Sequence, residues 1–439
     1  MKFLYAFLTL LVITSCKKQS GSNITSTPKI VTASADYNSY LDTNDSLPVV
    51  KLKREIDSLE AIIQVNPTGV LDLGRLAAKL NLLYDLKGDV SNLNRSVQMQ
   101  EAVVANRYIN PDNSKYNLAQ AYIKQHKFKT ADSLLQTFTR SPLARESQMV
   151  YFDIAMELGD YSRAENMLDQ LTNSKDYNYL IRAAKWNDNK GDLKATIRLM
   201  EKAKTLADQS GNPSIQLWSN SNIADYYGHD GQIEKSYDHY LKTLELDPMN
   251  TYALKGIAWI VYSYEKNSEE ALRILNKIKE RHPLPDYDLA IAEVMEYQNF
   301  SNETEPLRMS FLNEVEKKAY GAMYNTYKVE QLLSGNKLEK KRALDTARAE
   351  VKNRSTPETQ SLLSYALLKN GKPQEALINQ QQYVIGKTYE PVAQLHTLEI
   401  LIANGKREEA LEYSKDLSGA AYELGPITIK SYNDMINEI

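Results

Sequence analysis

Apolar residues recur along this chain at the spacing of a helix face, in short blocks that reverse at regular intervals. The stretch from Leu217 to Pro248 shows the unit most clearly. Ile223, Ala224 and Tyr227 share one face of a first helix, and Ser236, Tyr240 and Thr243 share one face of a second. Gly231 sits between them, where a left-handed backbone is cheapest in glycine, and Pro248 ends the second helix because proline cannot extend the hydrogen-bond ladder. The same marks return elsewhere: a turn residue, then a small residue five places on. Gly159 precedes Ala164, Gly191 precedes Thr196, Gly231 precedes Ser236, Gly371 precedes Ala376 and Gly405 precedes Ala410. His126 takes the turn place before Ala131, and Gly88 opens a weaker copy. Outside a central gap the turn positions are 38, 33, 32, 40 and 34 residues apart. A period near 34 with two helices per unit predicts an all-α solenoid, because one pair cannot bury its apolar face without a copy on either side.

The residues at these places resemble the tetratricopeptide repeat (TPR) family. In the central unit Ile223, Ala224, Tyr227, Ser236, Tyr240, Thr243 and Pro248 stand at the family's signature places, and in an earlier unit Leu118, Ala119, Tyr122, Ala131, Leu135 and Phe138 do. Ala271, Leu275, Ile278 and Pro283 match in a third, which needs one inserted residue. Ser236 and Thr243 replace two alanines, and Asn220 stands where the family often has Trp. The resemblance implies a right-handed superhelix of antiparallel helix pairs, about 8–10 repeats across residues 48–439. A first helix is expected over 51–65, stopped by Asn66-Pro67. From Leu284 to Ser334 the turn signature is missing, and a divergent repeat or a longer pair with a loop at Ser301 to Glu305 is expected. The last helix, through Ile429, Tyr432 and Ile436, reads as a cap or a dimer contact.

The first residues change the picture from architecture to address. Lys2 is followed by an apolar run from Phe3 to Ile13, too short to span a bilayer, which takes about 20 residues. Val12-Ile13-Thr14-Ser15-Cys16 resembles a bacterial lipobox, with Ile13 and Ser15 at places where Leu and Gly or Ala are commoner. Residues 1–15 are therefore expected to be a lipoprotein signal peptide, with Cys16 the lipidated first mature residue. Cys16 is the single cysteine of 439 residues, so no disulfide framework exists within one chain. Residues 17–47 are rich in Ser, Thr, Asn and Asp without helical period, and a disordered tether over 16–47 is expected. Lys17 and Lys18 follow the cysteine, which by analogy fits transfer to the outer membrane of a bacterial envelope.

Charge and composition narrow the function. With 53 basic and 56 acidic residues the formal net charge is −3, so no global basic field favours nucleic acid. Tyrosine is abundant at 29 against seven phenylalanines, which suits half-buried helix faces and binding surfaces. No H-E-x-x-H or G-x-S-x-G occurs, and the Gly-Lys-Thr at 386–388 lacks the glycine a phosphate loop needs, since Gln381 holds that place. The five histidines, 126, 229, 239, 282 and 396, are scattered, and no metal, cofactor or catalytic residue is expected. In the TPR family the first helices of successive units line a concave groove. Carried across, the groove offers Trp218, Asn222, Asp225 and His229, then Tyr252, Lys255, Trp259 and Tyr262. The alternative for Trp218 and Trp259 is packing between neighbouring repeats. The pattern some members use to clamp a C-terminal carboxylate is not recognisable around Tyr116, Gln120 and Met149. The expected function is a non-enzymatic, membrane-anchored scaffold that binds a protein or peptide. The alternative is a glycan-capturing lipoprotein of a nutrient-uptake system, which the scarcity of Trp and long loops disfavours.

Overall fold

The computed structural model describes residues 29–43, 47–107, 111–138 and 145–438. The signal peptide, Cys16 and the tether up to residue 28 lie outside the described residues. Among the described residues every regular element is helical. Helix α1 (Ser34–Asp42) packs on α12 (Ile233–Leu246) and α14 (Ser268–Arg281), outside the pair order, and α2 (Leu47–Val65) leads into ten pairs. They are α3 (Val70–Lys87) with α4 (Val90–Asn106), α5 (Pro111–Lys124) with α6 (Phe128–Leu135), and α7 (Arg145–Leu158) with α8 (Tyr161–Leu171). Next come α9 (Tyr177–Asn189) with α10 (Leu193–Ser210), α11 (Pro213–His229) with α12 (Ile233–Leu246), and α13 (Thr251–Trp259) with α14 (Ser268–Arg281). The rest are α15 (Asp286–Tyr297) with α16 (Thr304–Val315), α17 (Asn325–Leu333) with α18 (Lys337–Asn353), α19 (Pro357–Lys369) with α20 (Pro373–Tyr383), and α21 (Pro391–Ala403) with α22 (Arg407–Leu417). Helix α23 (Ala421–Glu438) follows, and its Ile429, Tyr432 and Ile436 pack as a cap on the α21–α22 core. This is a TPR-like α-solenoid. Among the described residues no helix is long and apolar enough to cross a membrane.

The turn chemistry explains why the chain reverses where it does. Gly159, Gly191, Gly231, Gly371 and Gly405 all take positive φ, and a new helix starts directly after each turn. Asp160 and Asp192 then cap the second helix, their carboxylates accepting from the backbone N–H of Arg163 and Ala195 at 3.2 and 2.8 Å. The small residues five places after the turn are wholly buried: Ala131, Ala164, Thr196, Ser236, Ala271, Ala376 and Ala410 have no exposed surface. Thr196 replaces an alanine without stranding its hydroxyl, which donates to the Ala184 carbonyl of the paired helix at 3.2 Å.

Two irregularities read from the sequence acquire physical causes. The inserted residue of the Thr251 unit is absorbed by a π-helical turn, Ile260–Tyr264, that continues α13. In two of the turns between Gly231 and Gly371 another residue replaces the glycine, while the α17–α18 turn holds Gly335 without a positive φ. Lys266 (φ 60°) and Asn299 (φ 66°) take the left-handed turn places themselves, so the pairing runs unbroken through residues 284–334. The loop expected at Ser301 to Glu305 is a single 3-10 turn, Ser301–Glu303, running straight into α16.

One expectation is corrected. The composition of residues 29–43 predicts a disordered tether, yet they lie along α12–α14 as an extended stretch followed by α1. Tyr37 and Leu41 are 1% and 4% exposed in the largest apolar cluster. Their partners lie more than 200 residues away in sequence, so no local period announces them.

The superhelix is wound tightly enough to close on itself. Turns of the early pairs meet the loops that join later pairs, across 194 to 227 residues of sequence. Asn94 donates to the Ala319 carbonyl at 2.9 Å, Asn353 to the His126 carbonyl at 3.3 Å, and Arg354 pairs with Glu157 at 3.4 Å. Gly159 lies so close to Ser355 that a Cβ there would sit 2.5 Å from its carbonyl oxygen, and Gly191 lies equally close to the Tyr389 ring.

Candidate binding cavity of the central repeats

A cavity of about 320 Å³ opens among α11, α13 and α15, with α12 and α14 behind them and the start of α23 across its mouth. Asp225, His229, Tyr252, Lys255, Trp259 and Tyr262 all line it, so the structure brings together six of the eight groove residues expected from sequence. Trp218 and Asn222 lie outside. The Trp218 ring meets Tyr177 of the preceding pair edge-on at 6.4 Å, and Asn222 turns back to donate to the Trp218 carbonyl at 2.8 Å.

Each wall residue is held by a definite partner. The Asp225 carboxylate accepts from Tyr240 and, at 2.5 Å, from Tyr252. Burial raises the Asp225 pKa, and the two hydroxyls work against that rise. Tyr240 comes from the second helix of its pair and crosses beneath the first. It can do so because position 256 is glycine: a Cβ there would stand 2.2 Å from the ring. Lys255 pairs with Asp286 at 2.6 Å, and its ammonium lies 5.5 Å from the Tyr287 ring centre. Burial opposes the Lys255 charge, but Asp286 outweighs it and the pKa is raised.

At the mouth, the chain's own residues 421–425 are seated. The Tyr422 carbonyl accepts from Trp259 Nε1 at 3.0 Å and from Ser263 Oγ at 2.6 Å. The Tyr422 ring packs so closely on α11 that a Cβ on Gly228 would lie 2.8 Å from it. Gly425 breaks α23 with φ 77° and ψ 165°, a conformation essentially reserved for glycine. Its Cα faces the Trp259 ring and Glu293. Glu293 Oε1 and the Tyr262 hydroxyl are both buried beside one another. Burial pushes Glu293 up to about 7, with the nearby Tyr262 hydroxyl opposing the shift. Chemically this is an aromatic, mostly apolar hollow with a few fixed polar atoms, the usual make-up of a recognition site.

Among the wall residues not assigned to the groove from sequence are Gly256, Tyr422 and Tyr240, the last read only as a repeat-packing residue. An isolated glycine inside a helical pattern was a readable sign of close approach at 256. Tyr422 was not readable, because it arrives from another turn of the superhelix. Elsewhere the structure places Glu269-Glu270 and Glu408-Glu409 in the first turns of α14 and α22, and the 386–388 motif in a turn after α20. Among the described residues no three His, Cys, Asp or Glu side chains converge as a metal-binding group.

No family model and no curated protein matches this chain. Several solved structures are similar to it. A tetratricopeptide repeat protein from Parabacteroides merdae is 16% identical, over 60% of this chain and 97% of that one, with a TM-score of 0.34. Yeast Tom70 is 13% identical over 91% and 94%, with a TM-score of 0.40. The human IFIT1 dimer with PPP-AAAA is 13% identical over 80% and 94%, with a TM-score of 0.44. Likenesses at this level say nothing about what this chain binds.

Proposed function

We propose that this chain is a non-enzymatic scaffold that binds an extended protein or peptide segment in the cavity of its central repeats. In the same reading a lipid on Cys16 holds it at a bacterial envelope membrane, the outer membrane by the sequence around that cysteine. The observation that carries the binding function is the seat of residues 421–425. There Trp259 and Ser263 grip the Tyr422 carbonyl, which Pro426 leaves without a partner inside helix α23, over a tyrosine-walled hollow, so the site offers fixed donors to main chain beside an apolar wall. Aromatic rings with a polar edge supply most of the energy at such sites.

The test is site-specific photo-crosslinking in cells. A photoreactive residue replaces Tyr252, which is 54% exposed at the cavity, or Leu246, which is 43% exposed on α12. One defined protein adduct from position 252, absent from position 246 and lost in Trp259→Ala, is the expected result. Equal adducts from both positions, or none from 252, would overturn the reading. A Trp fluorescence response to glycans that vanishes in Trp259→Ala would replace it with sugar capture. Cys16→Ala releases the protein from the membrane fraction if the anchor is as stated.

A further inference from the structure

The segment before α1 is gripped by the middle of the solenoid, not by its first repeat. The Glu265 carboxylate, 8% exposed at the end of the π-helical turn, accepts from the backbone N–H of Val31 and Thr32 at 2.7 Å each. The Thr32 hydroxyl adds a third bond at 3.0 Å. Among the described residues every hydrogen-bond partner of that buried carboxylate belongs to this segment, so without it a costly uncompensated charge would remain. The Tyr237 hydroxyl donates to the Ala33 carbonyl and accepts from its N–H, both at 3.2 Å. The Tyr37 hydroxyl donates to Glu270 at 2.6 Å, and Arg281 donates to the Tyr40 carbonyl at 2.8 Å. Backbone, hydroxyl and apolar contacts all act together, and an incidental surface contact shows no such set.

We propose that this clasp is the point where the membrane tether joins the solenoid, so that the outer face of α12 and α14 is the surface turned toward the lipid bilayer. The inference rests on the lipidated Cys16 of the proposed function. Between Cys16 and Lys29 lie 12 residues, whose fully extended span is at most about 40 Å. A tether running free to Leu47 would hold 30 linking residues and span up to about 110 Å. The clasp thus shortens the leash by more than half and moves its origin from the end of the solenoid to its centre. The pairs that carry the clasp on α12 and α14 carry the cavity on α11 and α13. The binding site is therefore held close to the membrane, on the far side of the same helices. A short leash keeps the site at a high effective concentration near the bilayer, whereas a long one dilutes it.

The experiment uses the lipidated full chain in phosphatidylethanolamine–phosphatidylglycerol vesicles carrying an acceptor dye in the lipid. With Cys16 acylated, a donor can be attached through Lys277→Cys on α14 or, in a separate protein, Lys129→Cys on α6. Energy transfer from position 277 should exceed that from 129. It should fall at least about twofold in Glu265→Gln/Tyr37→Ala, which frees the longer leash. Equal transfer from the two positions, or no change in the double variant, overturns the proposal. Vesicle flotation and hydrogen exchange at residues 29–42 in the soluble Cys16→Ala chain separate the two possible failures. A chain that does not float overturns the proposal through its anchor, while fast exchange at 29–42 in the otherwise folded chain overturns it through its clasp.

Discussion

Gly256 lies inside α13, where an alanine would ordinarily favour the helix. It is glycine because the Tyr240 ring needs the space to reach Asp225. Gly256→Ala should therefore force the ring aside and cost about 1–3 kcal/mol by overpacking. Gly74 in α3 is the internal control, since a methyl group there would lie 4.0 Å from its nearest neighbour, on Val103. Gly74→Ala should stabilise by up to about 1 kcal/mol through helix propensity alone. Urea unfolding of the two variants checks the contrast, and equal effects would remove Tyr240 from the cavity wall. At this scale the sequence was informative wherever a residue answers to its own helix pair. Ala164 and Ala271 read as close-contact positions and are fully buried. Trp218 and Asn222 share a helix face with Asp225 by spacing, yet periodicity alone could not say that the cavity starts one turn later.

The helix pair is the element that the chain repeats, and its turn is the weak joint. A non-glycine residue at positive φ carries a steric penalty of roughly 1 kcal/mol, which asparagine tolerates better than lysine. Lys266→Gly should therefore stabilise the protein more than Asn299→Gly, even though it removes the Lys266 ammonium's bond to the Ser263 carbonyl. Thermal melts at one salt concentration give the order, and the reverse order would mean that this bond outweighs the backbone strain. These two positions also explain why the central repeats were hard to see. A search for glycine finds most of the turns, but Lys266 and Asn299 take the left-handed conformation with other chemistry, and the α17–α18 turn reverses without a left-handed residue. Helix α1 was invisible for a different reason. It is nine residues long, has weak periodicity and owes its order to α12–α14, so its tertiary partners override a polar composition.

Closure of the superhelix is a property of the whole molecule, and equivalent turns can report it. Gly191 and Gly371 hold the same turn place with φ of 77° and 76°, so alanine strains both backbones alike. Only Gly191 has a neighbour: a Cβ there would sit 2.5 Å from the Tyr389 ring, while nothing lies within 4 Å of one at Gly371. Gly191→Ala should be the more destabilising of the two, and the difference is the contribution of the seam between superhelical turns. The seam also carries charge. Glu390 is exposed at the rim of the cleft, and partial burial of its carboxyl, followed by Glu423, Glu358 and Asp188, raises its pKa toward about 7, a shift that solvent screening at the rim reduces. Burial raises Asp188 as well. Lys185 and Arg354 stand in the adjoining cleft paired with Glu157, and His229 faces Glu423 at 3.8 Å, so among the described residues no cation pairs with Glu390. The folded chain therefore holds a proton that the unfolded chain releases near pH 4.5. The seam's stability is complete below that pH and falls as pH rises from there through about 7. Amide exchange at Tyr389 and Glu390 and in the first turn of α21 after Pro391 should accelerate between pH 6 and pH 8 beyond the intrinsic rate, and Glu390→Gln should remove the acceleration. Unchanged protection across that range in the unsubstituted protein would show that the two turns of the superhelix are held together without regard to this carboxylate cluster.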